Sequence, residues 1–255
     1  MSGNEGQPAV SQKIVEFIQS NRKPIYVAAI AIAVAMVGSV AGLIIADAVR
    51  GRAIAAVEDL GVRYAGLRDL VSPEGERPGG LDELLADLRS FAARRSGYAG
   101  GRAWSMVASI HGRLEEWAEA EAAWLSAARA TSRSYMAPIA YFNAAVAAEE
   151  QGRAEEAISH YASSIAAPAG FFAAPRAQFS IGRLREEALG DYPAAIEAYR
   201  DVVSGWPNDM AWANLARSRI IALETMGYRL EPGERVVRPA LFGGGGDFAD
   251  WTFAD

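Results

Sequence analysis

Two histidines, His111 and His160, are the residues of this 255-residue chain best suited by type to acid–base or metal chemistry at neutral pH. Neither has a nearby cysteine, a second histidine or an Asp/Glu arrangement with ligand spacing, so packing or surface roles are expected of both. No G-x-S-x-G elbow is present to present a serine nucleophile. The acidic pairs Glu149-Glu150 and Glu186-Glu187 read as solvated helix faces rather than as carboxylates held together for proton transfer. Gly243 to Gly246 has no strand before it and no helix after it, which makes it a flexible tether and not a phosphate cradle. The absence of cysteine excludes disulfides, thiolate zinc sites and thiolate-held iron–sulfur clusters. The expectation is a non-enzymatic protein with no catalytic residue, no metal and no cofactor.

Function must then come from surfaces, and the elements that carry them are helical. The chain is rich in alanine, the best helix former. Its net charge is −6. Residues 1–46 hold Lys13, Arg22 and Lys23 against Glu5 and Glu16, so the acidity lies entirely in the remainder. An acidic body lacks the basic face that phosphates require, which argues against a nucleic-acid partner.

Residues 25–46 hold no charge. As a helix they extend about 33 Å, enough for a hydrocarbon core of about 30 Å. A transmembrane helix is expected, with an uncleaved anchor preferred over a signal peptide. Ala46-Asp47-Ala48 does offer a small-x-small tripeptide, but the apolar run exceeds the about 15 residues of a signal core. Bases near the span tie by count, with Lys13, Arg22 and Lys23 before it and Arg50, Arg52 and Arg63 after it. Arg22-Lys23 abuts the span, and charges of a long translocated domain count for less. This places residues 1–24 in the cytoplasm and the large domain across the inner membrane, in the periplasm. Within the span Ala31, Ala35, Gly38 and Gly42 share one face, and Gly38 and Gly42 form a GxxxG element suited to homodimer pairing. Ahead of it, Ile14, Val15, Phe17 and Ile18 suit a short amphipathic helix at headgroup level.

Beyond the span the helix is expected to continue, with Leu60, Tyr64, Leu67 and Val71 as one stripe. The proline- and glycine-rich run 72–80 stops it. A second amphipathic helix follows, with Leu81, Leu84, Leu85, Leu88, Phe91 and Ala92 on one face, able to pack against the first. Residues 47–100 thus form a membrane-proximal stalk and helix pair.

From residue 101 the sequence repeats. Ala120, Ala157 and Ala195 recur at 37 and 38 residues, each followed four positions later by Trp124, Tyr161 or Tyr199. Trp104 and Tyr141 precede the first two alanines by sixteen residues. A small residue with a ring at i+4 lets two helices approach while the ring fills the gap to the next repeat. A fixed period of this length marks a solenoid.

The pattern resembles the tetratricopeptide repeat family, built from helix–turn–helix repeats. Tyr141 through Gly152, Ala157 and Tyr161 carry the best match, followed by Phe179, Gly182, Gly190, Ala195, Tyr199 and Trp206-Pro207. The first repeat has Glu115-Glu116 where the turn glycine belongs, and the third has one extra residue between Gly182 and Gly190. The resemblance implies an all-α fold, with an α-solenoid over residues 101–225 closed by a capping helix from Trp212. It implies a groove for a protein or peptide partner, lined by Arg102, Ser109, Arg113, Phe142, Val146, Glu149, Phe179, Arg183 and Glu186. For Phe142 and Phe179, packing against neighbouring helices is the competing reading. The overall layout resembles single-span bacterial envelope proteins such as the ancillary subunit of the SecYEG translocon. An adaptor or chaperone-like scaffold is therefore expected, with a self-associating component of a motility or secretion machine as the alternative. Residues 226–255 read as a tail in which Phe248, Trp251 and Phe253, between aspartates, form a recognition motif or a flap over the protein's own helices.

Overall fold

The computed structural model describes residue 17 and residues 19–168 and 170–228, and among these all regular structure is helical. The amphipathic segment expected around residues 14–18 and the tail motif of Phe248, Trp251 and Phe253 lie outside the described residues, apart from Phe17. Contacts divide the chain into two compact units, residues 1–58 and residues 59–255.

Helix α1, Arg22–Arg68, runs without a break through the charge-free stretch and into the second unit. Its large apolar residues from Tyr26 to Ile45 are exposed, Val37 at 69% and Leu43 at 71%. It is long and apolar enough to cross a membrane. Burying such surface in hydrocarbon removes the large cost of leaving it in water. A Cβ built on Gly38 or Gly42 would meet nothing within 4 Å, so that face of the helix is open.

In the second unit Leu60 and Val71 of the expected stripe are buried, and Tyr64 and Leu67 are half-buried. The 72–80 run breaks the chain as its prolines and glycines demand. Helix α2, Leu81–Ala93, then buries Leu81, Leu84, Leu85, Leu88 and Ala92. Arg63 of α1 ion-pairs with Asp87 and Glu83 of α2, at 2.6 and 3.7 Å.

Seven helices follow, α3 Gly97–Arg113, α4 Trp117–Ala130, α5 Met136–Glu150, α6 Ala154–Ile165, α7 Ala174–Glu187, α8 Tyr192–Gly205 and α9 Met210–Thr225. Each packs on the one before it, and α7 also touches α9 as α3 touches α5. That pattern of neighbours and next-but-one neighbours is a helical solenoid. Ala120, Ala157 and Ala195 are all but fully buried, and Tyr161 and Tyr199 with them, so the predicted small-plus-aromatic spacing lies at the helix contacts.

The turns repeat as well. After α3, α5, α7 and α9 the backbone enters the left-handed region at Glu115, Gly152, Gly190 and Gly227, with φ of 58°, 70°, 64° and 96°. Glu115 thus takes, at a steric cost, the conformation that glycine adopts freely in the other three turns. Glu116, Arg153 and Tyr228 each donate a backbone N–H to the carbonyl five residues back, the Schellman closure of a helix. In the third repeat Asp191 reaches six residues back, to Arg185, which absorbs the extra residue noted in the sequence. The Asp191 and Asp209 side chains then cap α8 and α9 by accepting from Ala194 and Trp212 N–H.

Candidate functional site

The most organised polar chemistry lies between successive repeats. Glu149, in the last turn of α5, accepts the Tyr161 hydroxyl of α6 and the Arg183 guanidinium of α7. One repeat later Glu186 of α7 accepts the Tyr199 hydroxyl of α8 at 2.8 Å and Arg219 of α9, its Nε at 3.2 Å. Each carboxylate therefore joins both helices of its own repeat to the first helix of the next. Burial, reinforced by Glu149, pushes the Tyr161 phenol well above its ordinary pKa, and burial with Glu186 does the same to Tyr199. Both phenols remain protonated donors across the physiological range.

Two further clusters hold the histidines. His111, 4% exposed, lies 2.5 Å from Glu116 through Nδ1 and 2.6 Å from Arg89 through Nε2. A guanidinium can only donate, so Nε2 accepts and Nδ1–H is left to donate to Glu116. Glu121, 6% exposed, accepts from Arg153, from Gln151 at 3.0 Å, and lies 3.0 Å from His160 Nε2. Burial, with Arg153 adding to it, pulls His160 below the ordinary imidazole value against the opposing pull of Glu156. Among the described residues no group of three or more His, Asp or Glu side chains is arranged to hold a metal ion.

The groove expected from the sequence is more tightly engaged with the protein itself than the reading implied. Phe142 is 9% exposed, with Tyr161 edge-on at 5.1 Å, Phe171 at 5.6 Å and the Arg176 guanidinium over its ring at 5.1 Å. These three contacts hold the ring within the protein's own core. Phe179 is half-buried between Tyr199 and Trp212, at 5.1 and 5.4 Å. Val146 packs against the Phe142 cluster. Glu186 is buried, which corrects its expected place on a solvated face, and Arg183 also meets Glu187 at 3.5 Å. On α3, Arg102 is half-buried, Ser109 donates to the Ser105 carbonyl at 2.8 Å, and exposed Arg113 reaches Asp69 at 3.4 Å.

An aromatic cleft of about 340 Å³ had no counterpart in the sequence reading. Phe171, Phe172 and Pro175 face the connection from Gly205 to Asp209, with Trp206 and Pro207. Phe172 is 86% exposed. Two adjacent phenylalanines in a turn between helices were the available signal.

A model of the tetratricopeptide repeat family matches residues 176–209, which take in most of α7, its turn and α8. Over 152 residues the chain is 43% identical to a TPR repeat-containing protein of Treponema pallidum (strain Nichols). The alignment covers 59% of this chain and 62% of that relative, so the chain spans less than two thirds of the relative's length. No solved structure matches. Residues 176–209 are thus similar to a tetratricopeptide repeat.

Proposed function

We propose that this is a non-enzymatic, membrane-anchored adaptor of the bacterial cell envelope, whose repeat domain holds protein segments on the extracytoplasmic side of the inner membrane. The observation that carries this reading is α1, one unbroken helix whose charge-free stretch leaves its large apolar residues from Tyr26 to Ile45 exposed. Arg22-Lys23 at its start supports a cytoplasmic N-terminus. The layout is the one seen in the resemblance to the ancillary SecYEG subunit group, with a groove or cleft for client segments as its working surface.

A photo-crosslinking residue at the exposed Phe172, introduced in the full chain in native membranes, tests this. Adducts with other envelope proteins, together with protease removal of the repeat domain from intact spheroplasts, are expected. Homotypic adducts alone would favour the self-associating machine component, and full protease protection would overturn the topology.

A further inference from the structure

Three of the first helices, α5, α7 and α9, pair a large apolar residue with a small one three positions on. Phe142 and Ala145 hold these places on α5, Phe179 and Gly182 on α7, and Leu215 and Ser218 on α9. In the first two cases the pair seats the tyrosine ring of the helix that follows. Tyr161 lies 5.1 Å from Phe142, with Ala145 in the same buried cluster. Tyr199 lies 5.1 Å from Phe179, so close above Gly182 that a Cβ there would come within 2.7 Å of the ring. On α9 the same seat is open. Leu215 is 50% exposed, Ser218 is exposed, and Met210 and Ile221 flank them at 60% and 64%.

The next turn is formed, with Gly227 left-handed and Tyr228 N–H closing on the Leu223 carbonyl. The sequence after it reads Glu231-Pro232-Gly233 where the earlier repeats begin their second helix. Proline and glycine are the two residues least favourable in a helix interior. No alanine with an aromatic four residues on follows at the repeat's spacing. The rings come later, as Phe248, Trp251 and Phe253 after the glycine tether, outside the described residues.

We propose that the open seat on α9 is filled in cis by the aromatic segment 247–255 of the same chain, which supplies the ring that a second helix supplies elsewhere. The distances agree. Between Tyr228 and Phe248 the linker has 19 residues, with a root-mean-square reach of about 25 Å. From the end of α9 back to Leu215 is about 15 Å of helix, plus one turn. A linker whose reach matches the span gives an effective concentration on the order of millimolar, which favours the chain's own tail over a second copy or a free partner. Exposed Arg217 borders the seat and faces a segment whose only charges are Asp247, Asp250 and Asp255. The tail is then a built-in competitor for any aromatic ligand of this end of the stack.

The chain has no cysteine, so engineered pairs report proximity cleanly. In the full chain in detergent, Ala211→Cys with Thr252→Cys should form an intramolecular disulfide about tenfold faster than Glu155→Cys with Thr252→Cys. Leu215→Asp should remove that advantage while leaving the far-ultraviolet circular dichroism of the folded chain unchanged, and Ser218→Arg provides a second exposed block should Leu215→Asp unfold. Free peptide of sequence 247–255 should slow the reaction. A rate equal to the control, or one indifferent to both blocks, overturns the proposal. Disulfide-linked dimers in place of the monomeric species overturn it too, in favour of a second copy.

Discussion

The charge-free stretch of α1 and helix α5 are built from nearly the same residues. Both are alanine-rich with scattered large aliphatics, and neither confines its apolar residues to one side. In α5, Ala137, Ala140, Ala144, Ala145, Ala147 and Ala148 are each at most 2% exposed. In α1, the large residues from Tyr26 to Ile45 are all more than half exposed. An all-round apolar helix needs apolar surroundings on every side. The difference lies in what supplies them. Helix α5 receives neighbours from α4, α6 and α3, whose alanines allow close approach. The α1 stretch has no such neighbours among the described residues, and in the proposed function the bilayer provides them.

One substitution made in both places gives the largest expected effects. Ala145→Arg puts an unpaired charge among Phe142, Ala148 and Tyr161, at a cost above about 4 kcal/mol that should leave the repeat domain unfolded. Ala35→Arg should leave the domain's melting untouched but cost about 3 kcal/mol at the centre of a span, roughly a hundredfold in insertion. Circular dichroism melting and carbonate extraction of membranes read the two outcomes. If Ala145→Arg melts like the parent, or Ala35→Arg remains wholly in the membrane pellet, the contrast between the helices is wrong.

The same contrast explains what was legible in the sequence. Apolar period and turn glycines gave the helices and the solenoid, because both are local consequences of burial and backbone sterics. Even the departures were visible, Glu115 in the glycine's place and the extra residue before Gly190. The carboxylate junctions were not read. A glutamate in a helix looks solvated unless its partners are known, and Arg183 and Arg219 lie 34 and 33 residues away from theirs. The recurrence of Glu149 and Glu186, Tyr161 and Tyr199, Arg183 and Arg219 at nearly the repeat period was the available signal. The groove phenylalanines were open for a different reason, since a large ring on a first helix serves packing and binding equally well until its neighbours are placed.

A smaller effect is expected from adding volume without charge. Ala157 is fully buried against Ala145 and Ala148 of α5, in the cluster that holds Tyr161. Ala157→Leu should force these helices apart and destabilise by about 1–3 kcal/mol, the usual overpacking cost. Ala154→Leu, at the half-buried start of α6, should cost less, and Ala35→Leu should leave the repeat domain unaffected. Equal melting temperatures for Ala157→Leu and Ala154→Leu would contradict the repeat register.

The smallest effect concerns what α5 has and the α1 stretch lacks, a polar end that fixes its neighbours. The Glu149 junction is repeated at Glu186, where it is easiest to test because Arg219 comes from the last described helix. The Glu186 side chain is 8% exposed and that of Arg219 is 42%, so solvent screens the pair only on one side. Arg219→Leu should cost about 1–2 kcal/mol, less than for a fully buried pair, by leaving the carboxylate with the Tyr199 hydroxyl alone. Glu186→Leu should cost a similar amount by leaving Tyr199 and Arg219 without their acceptor. Combined, the two should cost less than their sum by about 1 kcal/mol, since no buried charge is then abandoned. Denaturant titration of the two single variants and the double variant measures that coupling. Strict additivity would show that the junction is a surface ion pair of no consequence, and that packing alone sets the register between α7 and α9.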